Sequence, residues 1–213
     1  DTGVVNGIGY TIVNGETLRN MVSNGDDLTR VCTSRITDMS VLFRFTSAFN
    51  QDISSWDVSN VTNMRFMFGK QGLDNTFNQD ISSWNVSNVT DMSFMFYSAT
   101  VFNQNIGNWD VSSLTNMEQM FGGATSFNQP IGNWDVSNVT DMYAIFSVIS
   151  ATPQNFNQNI GNWDVSSVTN MRQMFYGATS FNQPIGNWDV SNVTNMEIMF
   201  GYVYDFNQDL SSW

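Results

Sequence analysis

The sequence predicts an α/β repeat fold: a right-handed solenoid with a parallel β-sheet on one face, short helices or 3₁₀ turns on the other, and an N-terminal cap. Seven tryptophans recur along the 213 residues, and most neighbours are 25 residues apart. A period of roughly 20 to 50 residues indicates stacked repeats. A Phe-Asn-Gln triplet precedes each tryptophan, and Val-Ser-x-x-Thr-(Asn/Asp)-Met follows every one but the last. Since 41% of the residues are hydrophobic, the repeats can bury a continuous core.

Residues 1–30 do not repeat and are predicted to form the cap. The pair Asn6-Gly7 lies between apolar residues and is a turn signal for a β-hairpin. Residues 16–22 are typical of a short helix that stops at Asn24-Gly25. Because the exposed end of a repeat array needs a cap, we expect the hairpin and the helix to seal the first coil.

Residues 31–213 are predicted to hold one degenerate repeat, six fuller repeats and a truncated last one that ends at Trp213. In the first full coil, the spacing of two between Trp56 and Val58 predicts a short strand. The Met-x-x-Met-Phe segment that follows has helical spacing and predicts a short helix or 3₁₀ turn. Because the chain stops within a repeat, we also expect it to be a fragment of a longer protein.

The order of the apolar residues, I-x-x-W-x-V-x-x-V-x-x-M-x-x-M-F, is close to the leucine-rich repeat pattern. Residues 16–213 closely resemble the BspA-like leucine-rich repeat surface proteins, and residues 50–68 are almost a consensus of their repeat. The resemblance implies a leucine-rich-repeat-like solenoid in a secreted or cell-surface protein, often linked to adhesion. One departure is the slot of the ladder asparagine, which holds Val61 here. The asparagine of each Phe-Asn-Gln triplet can supply the ladder instead.

The N-terminal segment is similar to the start of such arrays in proteins of the marine Bacteroidetes type. This resemblance implies that Cys32, the one cysteine of the chain, pairs with a cysteine outside the fragment. A small buried thiol is the alternative that the sequence leaves open.

Charge and composition exclude several functions. Residues 49–213 hold three cationic side chains against fourteen acidic ones, which gives −11 of the net charge of −12. Such a chain repels phosphate backbones and anionic membranes, which argues against nucleic-acid binding. No stretch approaches the roughly 18 apolar residues of a membrane span, so we expect no direct membrane insertion. Histidine is absent, so Ser-His and Cys-His nucleophiles cannot form and we expect no enzymatic activity.

The first candidate site is a column of outward carboxylates on the predicted strand face. If Trp56 points inward, Asp57 and its equivalents point to solvent. Like charges in a column repel each other, so hydrogen bonds, bound Ca²⁺ or a ligand must compensate, and the sequence leaves all three open. No Ca²⁺-binding loop motif is present, so no metal site is certain. The candidate ligand-binding residues are Asp57, Asn85, Asp110, Asp135, Asp164, Asp189, Ser112, Ser137 and Ser166.

Two longer coils supply a second candidate site. Segments 69–76 and 147–155 are three and four residues longer than their counterparts. Insertions on one face of a repeat protein often mark its binding side, although tolerated drift in a surface loop explains them equally well. The candidate residues are Lys70, Asp74, Pro153 and Gln154, and candidate exposed aromatics for glycan contact are Tyr97, Tyr143, Tyr176, Tyr202 and Tyr204.

We therefore expect a recognition or adhesion module of the cell surface. Its partner would be a protein or glycan on a host, prey or neighbouring cell, bound by many weak polar contacts along the repeat face. The alternative is a structural spacer or stalk with no ligand of its own. Ice binding is a minor alternative that rests on one threonine per coil, at the position of Thr62.

Overall fold

The computed structural model of the protein describes residues 2–5, 7–46, 48–70, 75–148 and 154–213. Its helix and strands are β1 (Thr2–Val5), β2 (Ile8–Ile12), α1 (Gly15–Asn24) and β3 (Val31–Cys32). From residue 33 onward, the described chain forms turns that single-residue bridges join to neighbouring repeats. Among the described residues, no helix combines the length and the apolar character that crossing a bilayer requires.

A small sheet joins the N-terminal residues to the first coil. β1 pairs antiparallel with β2, with Thr2 opposite Thr11. β2 pairs parallel with β3, with Thr11 opposite Val31. Val31 occupies the tryptophan position of the degenerate repeat, so the hairpin is continuous with the repeat array. The predicted turn residue Asn6 lies outside the described residues.

Helix α1 covers the end of the array beside this sheet. It spans Gly15–Asn24 and so contains the predicted segment 16–22. The side-chain oxygen of Asn14 caps its first turn by accepting a backbone hydrogen bond at 2.8 Å. Gly25 ends it with a φ of 73°, in the left-handed region that glycine adopts without strain. Leu18 is buried and anchors the helix in the core.

Backbone hydrogen bonds between neighbouring coils hold the array together. The N–H of Thr62 donates backward, to the carbonyl of Thr37, at 2.9 Å. The N–H of Met64 donates forward, to the carbonyl of Asp91, at 2.9 Å. The next three alternate N–H groups, up to Lys70, donate in the same direction at 3.0 Å. Parallel bridges run in this way through Asp38, Asn63, Asp91, Asn116, Asp141, Asn170 and Asn195.

The segment with helical spacing forms a tight left-handed turn rather than an α-helix. Phe66 has a φ of 54°, which a right-handed helix excludes. Alternate N–H groups of this segment donate to the next coil and are not free for the i to i−4 bonds of a helix. The pairing offsets the cost of the left-handed residue, about 1–2 kcal/mol in each coil. The left-handed residues at this position are Val41, Phe66, Phe94, Gln119, Ala144, Gln173 and Ile198.

The segment predicted to be a strand shows the expected side-chain alternation without strand pairing. Trp56 and Val58 are buried, whereas Asp57 between them is exposed. Turns of four residues bound the segment on both sides, at Ile53–Trp56 and Val58–Val61. The parallel pairing lies in the following segment instead, where the bridges form. A right-handed, leucine-rich-repeat-like solenoid therefore stays a prediction.

Columns of aromatic side chains fill the core. Phe68 stacks on Phe77 with 3.7 Å between ring centroids, and on Phe96 of the next coil at 5.8 Å. The indole N–H of Trp84 donates to the carbonyl of Ile53 one coil earlier, at 3.2 Å. All seven tryptophans make the equivalent bond, at 3.0–3.2 Å. Because a buried indole N–H needs a partner, this ladder fixes the register of each coil against the one before.

An asparagine ladder runs along the Phe-Asn-Gln triplets, as the sequence allows. The N–H of Asn78 donates to the side-chain oxygen of Asn50 at 2.9 Å. The side-chain N–H₂ of Gln104 reinforces the ladder by donating to the carbonyl of Asn78 at 2.9 Å. Six such backbone-to-side-chain bonds, at 2.9–3.1 Å, connect Asn50, Asn78, Asn103, Asn128, Asn157, Asn182 and Asn207.

The indole ladder gives a direct test of the stacking. Trp134→Phe removes the indole donor that pairs with the carbonyl of Ile106 at 3.1 Å, leaves this oxygen with only the backbone N–H of Trp109, and opens a gap where the larger ring packed. We expect a loss of about 1–3 kcal/mol in the free energy of unfolding, measured by urea denaturation. The control is Trp213→Phe, where the same bond is made at 3.2 Å by a partly buried ring, so the loss should be smaller. Equal losses, or none at Trp134, would contradict a buried ladder.

Close approach between coils gives a second test. A Cβ at Gly132 would lie 2.2 Å from the carbonyl oxygen of Asn159 in the next coil. Gly132→Ala should therefore push two coils apart and cost roughly 1–3 kcal/mol. Gly9→Ala is the matched control, because a Cβ at Gly9 meets no atom within 4 Å. Thermal unfolding followed by circular dichroism measures both variants, and a Gly132→Ala midpoint as high as the control would refute the close contact.

Candidate binding surface

The predicted carboxylate column is used within its own turns. One side-chain oxygen of Asp57 accepts hydrogen bonds from the backbone N–H and the hydroxyl of Ser59, at 3.0 and 2.6 Å. Asn85 makes the same two bonds with Ser87, at 3.2 and 2.8 Å. Backbone bonds of this kind form at Asp57, Asn85, Asp110, Asp135, Asp164 and Asp189, and hydroxyl bonds come from Ser59, Ser87, Ser112, Ser137 and Ser166. Of the three predicted ways to offset the repulsion between these carboxylates, the structure therefore contains hydrogen bonding.

Protonation follows from the same bonds. The hydroxyl of Ser112, and then its backbone N–H, lower the pKa of Asp110 below its ordinary value because they bind the ionised form. The pKa values of Asp57, Asp164 and Asp189 are lowered for the same reasons. Within the described ranges, no group of three or more Asp, Glu or Cys side chains lies close enough to hold a metal ion.

Other outward columns are also committed to the neighbouring coil. The hydroxyl of Thr62 donates to the carbonyl of Thr37 at 3.3 Å, and the equivalent threonines repeat this bond at 3.0–3.3 Å. The side-chain N–H₂ of Asn60 donates to the carbonyl of Ser34 at 2.8 Å. The positions of Asp57, Asn60 and Thr62 in each coil are called the architectural columns below, because their side chains stabilise the turns and the stacking.

A second set of positions differs in chemistry from coil to coil. The two methionines and the phenylalanine of each Met-x-x-Met-Phe segment are core residues, whereas the positions of Arg65, Phe66, Gly69 and Lys70, within and just after the segment, hold different residues from coil to coil. Some of these side chains are buried, as Phe66 is. We call these positions in all coils the variable face. Its members are Ser40, Val41, Arg44 and Phe45; Arg65, Phe66, Gly69 and Lys70; Ser93, Phe94, Tyr97 and Ser98; Glu118, Gln119, Gly122 and Gly123; Tyr143, Ala144, Ser147 and Val148; Arg172, Gln173, Tyr176 and Gly177; and Glu197, Ile198, Gly201 and Tyr202.

Aromatic side chains gather at both ends of the variable face. Near the N-terminus, the guanidinium carbon of Arg44 lies 3.9 Å from the ring centroid of Phe66, and this ring stacks on Phe94 at 4.2 Å. Near the C-terminus, Tyr202 contacts Tyr204 edge to face at 6.2 Å, and Tyr204 is 80% exposed. Sequence reasoning missed the arginine and phenylalanine cluster; an alignment of the repeats places Phe66 and Phe94 at one position, but Arg44 at another.

Of the four candidates in the inserted segments, two fall within the described residues. Lys70 and Gln154 are buried, so neither side chain reaches solvent as a ligand contact would require. Burial lowers the pKa of Lys70 by disfavouring its charged form. The other two candidates, Asp74 and Pro153, lie outside the described residues.

Comparison with known proteins adds a family. The family described as "Mycoplasma protein of unknown function, DUF285" matches residues 15–130, 72–153 and 131–213. The chain belongs to the DUF285 family. Because DUF285 matches three overlapping stretches, the protein is a repeat protein, as the recurring tryptophans predict. No curated protein and no solved structure matches the chain.

Substitutions in the carboxylate column test its structural role. Asp110→Asn should leave the free energy of unfolding at pH 7 unchanged within about 0.5 kcal/mol, since Asn85 already fills the same role in another coil. Asp110→Ala removes the acceptor of both serine bonds and should cost about 1 kcal/mol. Urea unfolding measures both variants. If the two variants lose the same free energy of unfolding, the turn does not use this acceptor.

The pH dependence follows from the lowered pKa. A carboxylate with a lowered folded pKa stabilises the fold above its ordinary pKa and loses this contribution as the pH falls through the folded value. The wild-type protein should therefore lose more stability than Asp110→Asn on acidification below about pH 4. Urea midpoints of the two proteins at pH 7 and pH 3 provide the measurement, and parallel acid losses would contradict the pKa direction.

Proposed function

We propose that this protein is a recognition or adhesion module that binds its ligand through the variable face. One observation carries the proposal: the outward aspartates and threonines that recur along the array are hydrogen-bonded within the stack, whereas exposed aromatic side chains such as Phe45 and Tyr202 stand where the coils differ. Phe45, at one end of the variable face, and Tyr204, which contacts Tyr202 at the other end, are each 80% exposed. Exposed aromatic rings and arginines are the residues most often found at binding hot spots. Contacts spread over several coils would add up to useful avidity.

The proposal also includes the location of the protein, its solenoid fold and its kind of partner. The repeat resembles that of BspA-like surface proteins, which supports a secreted or cell-surface location and a leucine-rich-repeat-like solenoid. The partner would then be a protein or glycan on a host, prey or neighbouring cell. Binding rather than catalysis is favoured because the chain has no histidine, and its serines and carboxylates pair with each other as turn caps.

A structural spacer is the second candidate. It is favoured by the architectural columns, because side chains such as Asp57, Asn60 and Thr62 stabilise the stack without offering unique chemistry. A spacer would tolerate substitutions on the variable face, whereas a binder would not.

Labelled protein applied to an array of glycans and cell-surface proteins tests the proposal, with Ca²⁺ and again with EDTA. The array should show saturable binding that the variant Phe45→Ser/Tyr204→Ser reduces and the variant Asp110→Asn/Asp135→Asn leaves unchanged. Both pairs are exposed, so both variants should fold like the wild type, which circular dichroism checks.

Each other result has a defined meaning. Binding lost only in the asparagine variant would move the ligand to the carboxylate column, and loss in EDTA would add Ca²⁺ to it. If a cooperatively folded sample binds nothing on the array, the spacer is favoured.

A further inference from the structure

The N-terminal end of the variable face carries a layered cluster of arginine and phenylalanine. The guanidinium of Arg44 lies over Phe66 at 3.9 Å from its ring centroid, and Phe66 stacks on Phe94 at 4.2 Å. Arg65 lies over Phe94 at 5.0 Å. The neighbouring ring of Tyr97 contacts Phe94 edge to face at 5.8 Å. The two guanidinium groups therefore rest on one aromatic platform that three successive coils build.

Neither arginine of the platform has a carboxylate partner among the described residues. The ion pairs found there are Arg19 with Asp38 at 3.9 Å and Arg172 with Glu197 at 2.9 Å. Arg65 donates to the neutral hydroxyl of Ser93 at 2.8 Å, and its charge acts on the carboxylate of Glu118 without forming a direct ion pair. A guanidinium that stacks on a ring uses its flat face, so in-plane N–H groups that have no other acceptor remain able to donate to a carboxylate.

The cluster is also an electrostatic exception in an acidic protein. Residues 1–70 hold six of the seven cationic side chains against seven acidic ones, whereas residues 71–213 hold one against twelve. Beside the arginines stands Phe45, 80% exposed, with the guanidinium of Arg44 at 5.5 Å from its ring centroid. The surface thus combines two unpaired cations with an exposed apolar ring.

We propose that this platform binds an acidic polysaccharide that carries uronate carboxylates. Arg44 and Arg65 would donate hydrogen bonds to carboxylates of the polysaccharide. The apolar faces of its sugar rings would pack on Phe45 and Tyr97. The proposal rests on the proposed function and names the ligand class for one end of the variable face. Charge complementarity selects an anion, because carboxylate forks match guanidinium geometry.

The backbone at this surface argues against an extended peptide as the ligand. Peptides that add to a repeat or sheet edge gain affinity through main-chain hydrogen bonds. Here the N–H of Phe66 already donates to the carbonyl of Ser93, at 3.0 Å, and the N–H of Phe94 to the carbonyl of Glu118, at 2.7 Å. An exposed ring at Phe45, the half-buried ring of Tyr97 and two arginines, with the backbone groups paired, suit a sugar chain that binds by ring stacking and carboxylate contacts.

Isothermal titration of the whole chain with polygalacturonate tests the proposal, with neutral dextran and poly-L-glutamate as comparison polymers. The variant is Arg44→Gln/Arg65→Gln. The matched control is Arg30→Gln/Arg35→Gln, which makes the same charge change at exposed arginines outside the variable face. We expect polygalacturonate to bind in a salt-dependent manner, dextran not to bind, and the variant to weaken binding at least about tenfold while the control stays within about twofold. Phe45→Ser should weaken binding with no change in charge.

Several outcomes would overturn the proposal. Absence of polygalacturonate binding would do so, and so would equal weakening in the variant and the control, which would show nonspecific charge attraction. If poly-L-glutamate binds as tightly as polygalacturonate and the same variant abolishes this binding, the ligand is an acidic peptide and not a glycan. In that case the proposed recognition function survives. Absence of any binding to the protein and glycan array would overturn both the recognition function and the polysaccharide ligand.

Discussion

The hydrogen bonds between backbone groups of adjacent coils are the constraint on which this structure depends. They lie in the segment that follows the recurring threonine of each coil, such as Thr62. In this segment, alternate N–H groups such as those of Met64, Phe66 and Phe68 donate to the next coil. This pairing consumes the donors that a helix would need and imposes a left-handed residue in every coil. It also sets the separation at which the phenylalanine rings of successive coils stack, 5.4–5.9 Å in the column that contains Phe68. The indole and asparagine ladders then lock the register on two further sides.

Once the coils are fixed at this separation, most outward side chains have a local task. The carboxylate of Asp110 caps a turn, the hydroxyl of Thr62 reaches the previous coil, and the amide of Asn60 does the same. Repetition of a residue along the array is therefore explained by architecture alone. The residues that give one coil a different chemistry from the next, such as Arg44 and Tyr202, are the ones that a ligand can distinguish.

Much of this arrangement could be predicted from the sequence. The period of the tryptophans predicts the repeats, and the spacing of Trp56 and Val58 predicts which side chains are buried. The outward direction of the aspartates also follows from that spacing. One feature of the fold could not be predicted in this way. The left-handed turn falls on residues such as Val41 and Phe66, which do not favour it, so the φ value comes from pairing with a neighbouring coil rather than from local propensity.

The candidate surface was also only partly predictable. The recurring column of aspartates predicts a ligand-binding surface, whereas its side chains accept hydrogen bonds within their own turns. The cluster of Arg44, Phe66 and Phe94 comes from residues 22 and 28 positions apart, and its members look unrelated until the coils are stacked. The buried state of Lys70 likewise depends on packing that spacing does not reveal.

Amide hydrogen exchange by NMR tests the pairing between coils most directly. The N–H groups of Met117, Gln119 and Phe121 donate to the following coil at 3.0, 2.8 and 3.0 Å, whereas the equivalent groups of Met196, Ile198 and Phe200 donate to no backbone carbonyl of the described residues. The account predicts strong protection for the first three and exchange near the rate of an unfolded peptide for the last three. Equal protection of the two sets would show that bonds within each coil, and not between coils, hold these segments in place.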